Sequence, residues 1–228
     1  MSLLVKVCGL RDEAAVDAAV EEGAAFVGFV FYPPSPRAVS PARFAELRRR
    51  VPAGIRTVGV FVDPEDDLVA RVLDAAPLDL LQLHGRETPE RARALRLRFA
   101  TGIVAAVRVA EARDVDGAAD WEEACDWLLF DARPPVRPGA LPGGNAVAFD
   151  WRLLAGRRLP RPWLLAGGLD AGNLAQAVRL SGARAVDVSS GVESAPGRKD
   201  PERIRAFLRL ARTIDPGDAD TVREDSRA

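Results

Sequence analysis

Cys8 and Asp131 are the side chains of this sequence best suited to acid and base chemistry, because each ends an apolar run typical of a buried strand. A thiolate is favoured beside cations such as Lys6 and Arg37, so we expect the pKa of Cys8 to fall from about 8.5 toward neutrality, as a general base needs. Asp131, approached through WLLF, suits a general acid. The alternatives are that Cys8 is a small buried hydrophobe and Asp131 a solvated loop residue.

Lys6 shares a strand face with Leu4 and Cys8, which predicts that its ammonium points into the sheet interior. A buried unpaired ammonium is costly, so an acid must lie beside it. Asp187, in the last apolar run, is the predicted partner if that strand closes against the first. Alternatively, Lys6 extends to solvent at the rim. Cys125 precedes a strand, at the opposite end from the chemistry, and is interpreted as structural.

Two glycine-rich segments indicate a phosphate site. AGG at 166–168 and SSGVES at 189–194 both follow predicted strands and offer backbone N–H groups that an anion can approach closely. Two such loops together predict a small phosphorylated substrate, with plain tight turns as the alternative. His84, which follows Gln82 in LLQLHG, either lines the pocket or is a satisfied structural group.

Eight short aliphatic runs predict eight strands. They lie at 3–8, 25–31, 56–62, 78–84, 101–109, 126–132, 162–168 and 184–190. Amphipathic segments between them begin at helix-start residues, namely Asp12, Ser40, Asp63, Thr88, Asp170 and Asp200. This alternation predicts an α/β fold, a single (β/α)8 TIM barrel with eight parallel strands and outer helices. Its active site should lie at the carboxyl ends of the strands, where the residues above are found.

Composition narrows the function. There are 32 basic and 33 acidic residues without a basic stripe, which predicts no nucleic-acid partner. One histidine and two cysteines exclude a multi-histidine or zinc-type metal site. No apolar run approaches the ~18 residues that span a bilayer, so we expect no membrane partner and a cytoplasmic location. We predict a barrel over 1–214 and a flexible tail over 215–228, whereas the Pro/Gly-rich stretch 133–148 is interpreted as a functional loop.

Seven motifs in chain order resemble the phosphoribosylanthranilate isomerase family of tryptophan biosynthesis. They are KVCGL at 6–10, GFVFYPPSPR at 28–37, LQLHG at 81–85, LLFDA at 128–132, AFDW at 148–151, LAGGL at 165–169 and DVSSGVES followed by PGRKD. The resemblance implies an Amadori rearrangement of N-(5-phosphoribosyl)anthranilate to 1-(2-carboxyphenylamino)-1-deoxyribulose 5-phosphate. It also implies that no cofactor or metal takes part.

The resemblance implies roles for individual residues. Cys8 stands at the family's general base and Asp131 at its general acid, while Arg37 would bind the anthranilate carboxylate and the glycine-rich loops the phosphate. The expected substrate-binding residues are Lys6, Arg37, Gln82, His84, Gly143, Gly144, Gly167, Gly168, Asp187, Ser189, Ser190 and Gly191.

The sequence departs from the family pattern in two places. Gly143-Gly144 is followed by Asn145-Ala146 where the family usually has GGTG, and Ala38 follows Arg37 where an aromatic residue is common.

Alternative functions are a non-catalytic phosphosugar-binding barrel, an isomerase of a related aminoaldose phosphate, an indole-glycerol-phosphate synthase and a pentose-phosphate epimerase. The last two fit poorly, because Lys6 is the one strand lysine and His84 the one histidine. A monomer and a homodimer both remain open.

Overall fold

The computed structural model describes residues 2–134, 143 and 148–216. Eight parallel strands form a closed barrel in chain order, in which β8 pairs with β1. The strands are β1 (Leu4–Cys8), β2 (Phe26–Val30), β3 (Arg56–Phe61), β4 (Leu80–Leu83), β5 (Gly102–Val109), β6 (Trp127–Ala132), β7 (Trp163–Leu165) and β8 (Ala185–Val188). Each lies within a predicted run, and the predicted α/β barrel is confirmed.

Strand alternation separates two apolar layers. One face of each strand packs outward against the helices, as Val5, Val7 and Phe29 do. The other face fills the barrel, where Phe26, Val58 and further residues from other strands form a separate buried cluster. Near the carboxyl ends of the strands this filling gives way to polar side chains, and the site is built there.

Seven α-helices of the described part of the chain surround the barrel. They are α1 (Glu13–Glu21), α2 (Pro41–Arg48), α3 (Asp66–Ala75), α4 (Pro89–Phe99), α5 (Ala112–Asp116), α6 (Leu174–Ser181) and α7 (Pro201–Thr213). The predicted caps are confirmed at Asp12, Ser40, Thr88 and Asp200, whose side chains accept backbone N–H bonds in the first turn. No helix of the described residues has the length and apolar composition to cross a bilayer.

Two predicted helix starts are wrong. Asp63 adopts a left-handed backbone with φ 45°, and α3 begins later with Glu65 as its N-cap. The Asp63 carboxylate instead accepts a bond from the Arg86 backbone. Asp170 accepts bonds from Gly172 and Asn173 in a turn that precedes α6.

The strict alternation of strand and helix also fails around β6. Among the described residues, the connection to β7 carries a short 3-10 turn at Trp151–Leu154 and no α-helix. An additional antiparallel pair, β9 (Glu193–Ala195) and β10 (Arg198–Lys199), lies between β8 and α7 and was not predicted. The predicted tail falls mostly outside the described residues.

Candidate active site

Lys6 and Asp187 form a buried ion pair inside the barrel. The parallel register of β1 and β8 sets them opposite each other, and Lys6 Nζ lies 2.9 Å from Asp187 Oδ1. Lys6 has no exposed surface. Burial alone would lower the pKa of Lys6, but Asp187 and Cys8 together more than compensate, and the pKa is raised. The predicted pair is confirmed.

Cys8 ends β1 and packs against Val30 and Val60 at the mouth of the barrel. Burial raises the pKa of its thiol, and the charges of Lys6 and Lys199 offset this only in part. The expectation of a pKa lowered toward neutrality is therefore wrong. It took account of the nearby cations but not of the thiol's burial or of the Asp187 carboxylate, which also raises the pKa.

Asp131 lies near the end of β6 in a chain of hydrogen bonds. Its Oδ2 is 3.2 Å from His84 Nε2, and its Oδ1 accepts a bond from the Ala132 N–H. Gln82 Nε2 lies 2.8 Å from His84 Nδ1. When the Gln82 amide donates a hydrogen bond to Nδ1, the neutral imidazole carries its proton on Nε2, and this N–H donates a hydrogen bond to Asp131. His84 thus lines the pocket and is satisfied by its neighbours at the same time.

Gly143 is in close contact with the side chains of His84 and Asp131. A Cβ at this position would be 2.5 Å from His84 Nε2 and 2.9 Å from Asp131 Oδ2, so a larger residue would displace them. Gly144, Asn145 and Ala146 lie outside the described residues.

The loops after β7 and β8 lie against each other beside Asp131. Gly167 and Gly168 have φ of 86° and 64°, a backbone region that favours glycine. A Cβ on Gly191 would overlap the Leu169 carbonyl oxygen, so this glycine permits the close approach of the two loops. Gly167, Gly168, Ser189 and Ser190 line one cavity, whereas Gly191 is not among its lining residues. The two glycine-rich loops that were predicted to bind phosphate are thus brought together.

A second, adjoining cavity contains the acid and base candidates. It is lined by Cys8, Asp131, Gln82, His84, Arg37, Asp187, Ser189 and Gly143 among others. Asp131, Gly143, Asp187 and Ser189 line both cavities, which therefore lie next to each other. Within the described residues, no cluster of three or more His, Cys, Asp or Glu side chains is arranged to hold a metal ion.

Arg37 is buried at the rim of this second cavity. Its Nε and Nη2 donate to the Glu193 carboxylate at 2.7 and 2.9 Å. Lys199 Nζ donates to Glu193 Oε1 at 2.8 Å and to the Ser189 carbonyl oxygen at 2.8 Å. The roles of Glu193 and Lys199 were not predicted. The turn residues in ESAPGRK, between a glutamate and a lysine, are the signal that could have indicated a hairpin joining them.

Two other polar residues near the strand ends serve the scaffold. Arg108 Nη2 donates to the His84 carbonyl oxygen at 3.0 Å. Cys125 is fully buried, and burial raises the pKa of its thiol to about 11, in agreement with a structural role.

Comparison with known proteins gives one consistent family. Residues 5–209 match the model of the N-(5'-phosphoribosyl)anthranilate isomerase family. The N-(5'-phosphoribosyl)anthranilate isomerase of Rhodospirillum centenum is 56% identical over 94% of this chain and 100% of its own. The corresponding protein of Paramagnetospirillum magneticum is 55% identical over 93% of this chain and 98% of its own.

Solved structures agree with this result. The phosphoribosyl anthranilate isomerase of Thermotoga maritima superposes with a TM-score of 0.81 at 36% identity, covering 92% of this chain and 98% of its own. A second such structure, in complex with reduced 1-(o-carboxyphenylamino)-1-deoxyribulose 5-phosphate, has a TM-score of 0.78 at 35% identity, with the same coverage.

Proposed function

The chain belongs to the N-(5'-phosphoribosyl)anthranilate isomerase family and catalyses that isomerisation in tryptophan biosynthesis, and we propose that Asp131 and Cys8 carry its proton transfers. The reaction converts an aminoaldose into the aminoketose 1-(2-carboxyphenylamino)-1-deoxyribulose 5-phosphate. It needs an acid to open the sugar ring and a base to remove the proton at C2′. The observation that carries the proposal is that Cys8 of β1 and Asp131 of β6 line the same cavity.

Asp131 is proposed to act first, as the general acid. Its carboxyl group protonates the furanose ring oxygen, so that the ring opens and a Schiff base forms between C1′ and the nitrogen. The hydrogen bond between His84 and Asp131 holds the carboxyl group in one orientation at the cavity wall. Proton transfer requires this orientation, because donor and acceptor must come within hydrogen-bond distance.

Cys8 is proposed to act second, as the general base. Its thiolate takes the C2′ proton, and the electron pair of the C–H bond moves toward the Schiff base to give an enolamine, which tautomerises to the ketone. Because burial raises the pKa of Cys8, the thiol form predominates at neutral pH in the free enzyme. The ammonium groups of Lys6 and Lys199 stabilise the thiolate when it forms.

The two ends of the substrate are proposed to bind in the two cavities. Backbone amides of Gly167, Gly168, Ser190 and Gly191 bind the phosphate, because glycine lets an anion come close to the chain. Arg37 binds the anthranilate carboxylate through its planar guanidinium. Gln82, Asp187 and Ser189 complete the walls of the pocket. Lys6, which lines neither cavity, contributes to binding only by holding Asp187 in their buried ion pair. The proposed steps require no cofactor or metal.

The remaining parts of the proposal concern the whole chain. Residues 1–214 are proposed as the catalytic domain, and the predicted tail over 215–228 lies mostly outside the described residues. The enzyme works as a monomer or homodimer in the cytoplasm, where its two buried free cysteines stay reduced.

The proposal is tested by the turnover of freshly generated phosphoribosylanthranilate, followed as loss of anthranilate fluorescence. We expect Cys8→Ser and Asp131→Asn to lower kcat by about 10² or more, as losing a general acid or base does. Cys125→Ser is the matched control, a cysteine substitution away from the site, and should retain wild-type turnover. Full activity of either catalytic variant would refute the role of that residue.

A further inference from the structure

Arg37, Glu193 and Lys199 form a buried network in which the proposed function gives Glu193 no role. Arg37 is 6% exposed, Glu193 7% and Lys199 4%. A buried charge is costly unless it is paired and hydrogen-bonded, so these three side chains depend on one another.

Glu193 holds the guanidinium of Arg37 along one edge. Nε donates to Oε1 and Nη2 to Oε2, which is the planar two-bond geometry that fixes both distance and orientation. Because the five N–H groups of arginine lie in one rigid fork, fixing the Nε–Nη2 edge also fixes the direction of Nη1. The carboxylate of Glu193 therefore sets the direction in which Arg37 faces the cavity.

Glu193 also accepts a hydrogen bond from Lys199, in addition to those from Arg37. Lys199, brought opposite Glu193 by the β9–β10 pairing, donates to Glu193 Oε1 at 2.8 Å. Burial alone would raise the pKa of Glu193, but Arg37 and Lys199 lower it, so the carboxylate stays charged. Lys199 also donates to the Ser189 carbonyl oxygen, which ties the network to the loop that follows β8.

The backbone encloses Arg37 as well. A Cβ on Gly9 would lie 2.8 Å from Arg37 Cδ, and one on Gly197 would overlap the carbonyl oxygen of Pro36. The loop after β1 and the turn between β9 and β10 therefore contact the Arg37 segment from two sides. Such close packing restricts a side chain that would otherwise be among the most mobile on a protein surface.

We propose that Glu193, braced by Lys199, is a positioning residue that orients Arg37 for the aromatic carboxylate of the substrate and so sets the preference for a carboxylated aminoaldose. The inference rests on the proposed role of Arg37. A guanidinium that is already oriented in the folded enzyme loses little conformational entropy when it binds its ligand, so the ligand binds more tightly. The effect of Glu193 should therefore depend on the presence of the substrate carboxylate.

The test compares two substrates on the intact enzyme. One is phosphoribosylanthranilate, and the other is the N-phosphoribosyl derivative of aniline, which lacks the carboxylate. Glu193→Gln should raise KM for the first substrate on the order of tenfold, the loss expected for a charge-assisted contact, and change kcat little. KM for the aniline substrate should not change. Glu202→Gln, the same substitution at an exposed site on α7, should leave both KM values unchanged.

A second variant guards against a folding defect. Glu193→Asp keeps an anion between Arg37 and Lys199 but withdraws the carboxylate by one methylene group, so it should give a smaller rise in KM with the same selectivity. An equal effect on both substrates would show a merely structural role, and a lower KM for phosphoribosylanthranilate would show that Glu193 competes with the substrate. Either result overturns the inference.

The variant Arg37→Lys tests separately the proposal that Arg37 binds the anthranilate carboxylate. This variant keeps the charge but loses the planar fork, and it should reduce the preference for the carboxylated substrate. If it does so while the Glu193 variants do not, the inference alone fails. If Arg37→Lys leaves the preference intact, the proposed role of Arg37 in binding the carboxylate fails.

Discussion

At the scale of the residue, the ionisation of Cys8 is the feature on which the proposed proton transfer depends most. The thiol is surrounded by charges of both signs: Lys6 and Asp187 on the strands, and Lys199 on β10. The two ammonium groups favour the thiolate, while burial and the Asp187 carboxylate oppose it. The balance leaves the pKa above its ordinary value, so the free enzyme holds its base in the protonated form at neutral pH.

Alkylation of Cys8 tests this balance. We predict slow reaction of the wild-type enzyme with iodoacetamide at neutral pH, and a rate that continues to rise with pH beyond the ordinary range of a free thiol, because the thiolate is the reactive form. The rate is measured by mass spectrometry of the labelled peptide. Cys8→Ser is the control, in which only the fully buried Cys125 remains. A rate already constant below pH 7 would contradict the account.

Single residues differ in how well the sequence predicts them. The Lys6–Asp187 pair is predictable, because strand alternation points Lys6 inward and barrel closure brings β8 beside β1. The pKa of Cys8 is not predictable in this way, because it depends on how much water three neighbouring strands exclude. The role of Glu193 was not predicted, because a glutamate in a short polar segment is typical of an exposed loop.

At the scale of the element, the contact between the loops after β7 and β8 shapes the phosphate cavity. Gly191 packs against the backbone of Leu169 and Asp170, where there is no room for a Cβ. Any side chain at this position must push the two loops apart. The cavity they line would then widen, and the backbone amides proposed to hold the phosphate would separate.

Gly191→Ala should therefore weaken phosphate binding. We expect KM and the inhibition constant of inorganic phosphate both to rise about tenfold, and the free energy of unfolding to fall by about 1–3 kcal/mol, as overpacking does. Steady-state kinetics and urea unfolding measure the two effects. Gly117→Ala is the matched control, because a Cβ there meets nothing within 4 Å. An unchanged inhibition constant of phosphate in Gly191→Ala would contradict the proposal that the phosphate binds between the loops after β7 and β8.

The strands were more predictable than the connections between them. Apolar runs such as LDLLQLH predict the barrel strands well, because both faces of such a strand are buried and nearly every residue in it is apolar. Helix starts depend on local backbone geometry, and Asp63 shows this by adopting a left-handed φ before α3 begins. The β9–β10 pair is too short to show an apolar pattern, although its register places Lys199 opposite Glu193.

At the scale of the whole molecule, closure of the barrel brings together residues that are far apart in the sequence. Cys8 ends the first strand and Asp131 lies near the end of the sixth, yet both face the same cavity. The family resemblance indicated this pairing, and the barrel geometry is consistent with it. We propose that the two residues serve different steps, Asp131 opening the ring and Cys8 removing the C2′ proton.

The isotope effect of substrate deuterated at C2′ tests this division most directly, measured in Cys8→Ser and in Asp131→Asn. In Cys8→Ser, proton removal becomes the slow step, so the account predicts a clear primary isotope effect on kcat/KM. In Asp131→Asn, ring opening becomes slow before the C–H bond breaks, so the effect should be close to unity. Absence of the effect in Cys8→Ser, or its appearance in Asp131→Asn instead, would contradict the assignment.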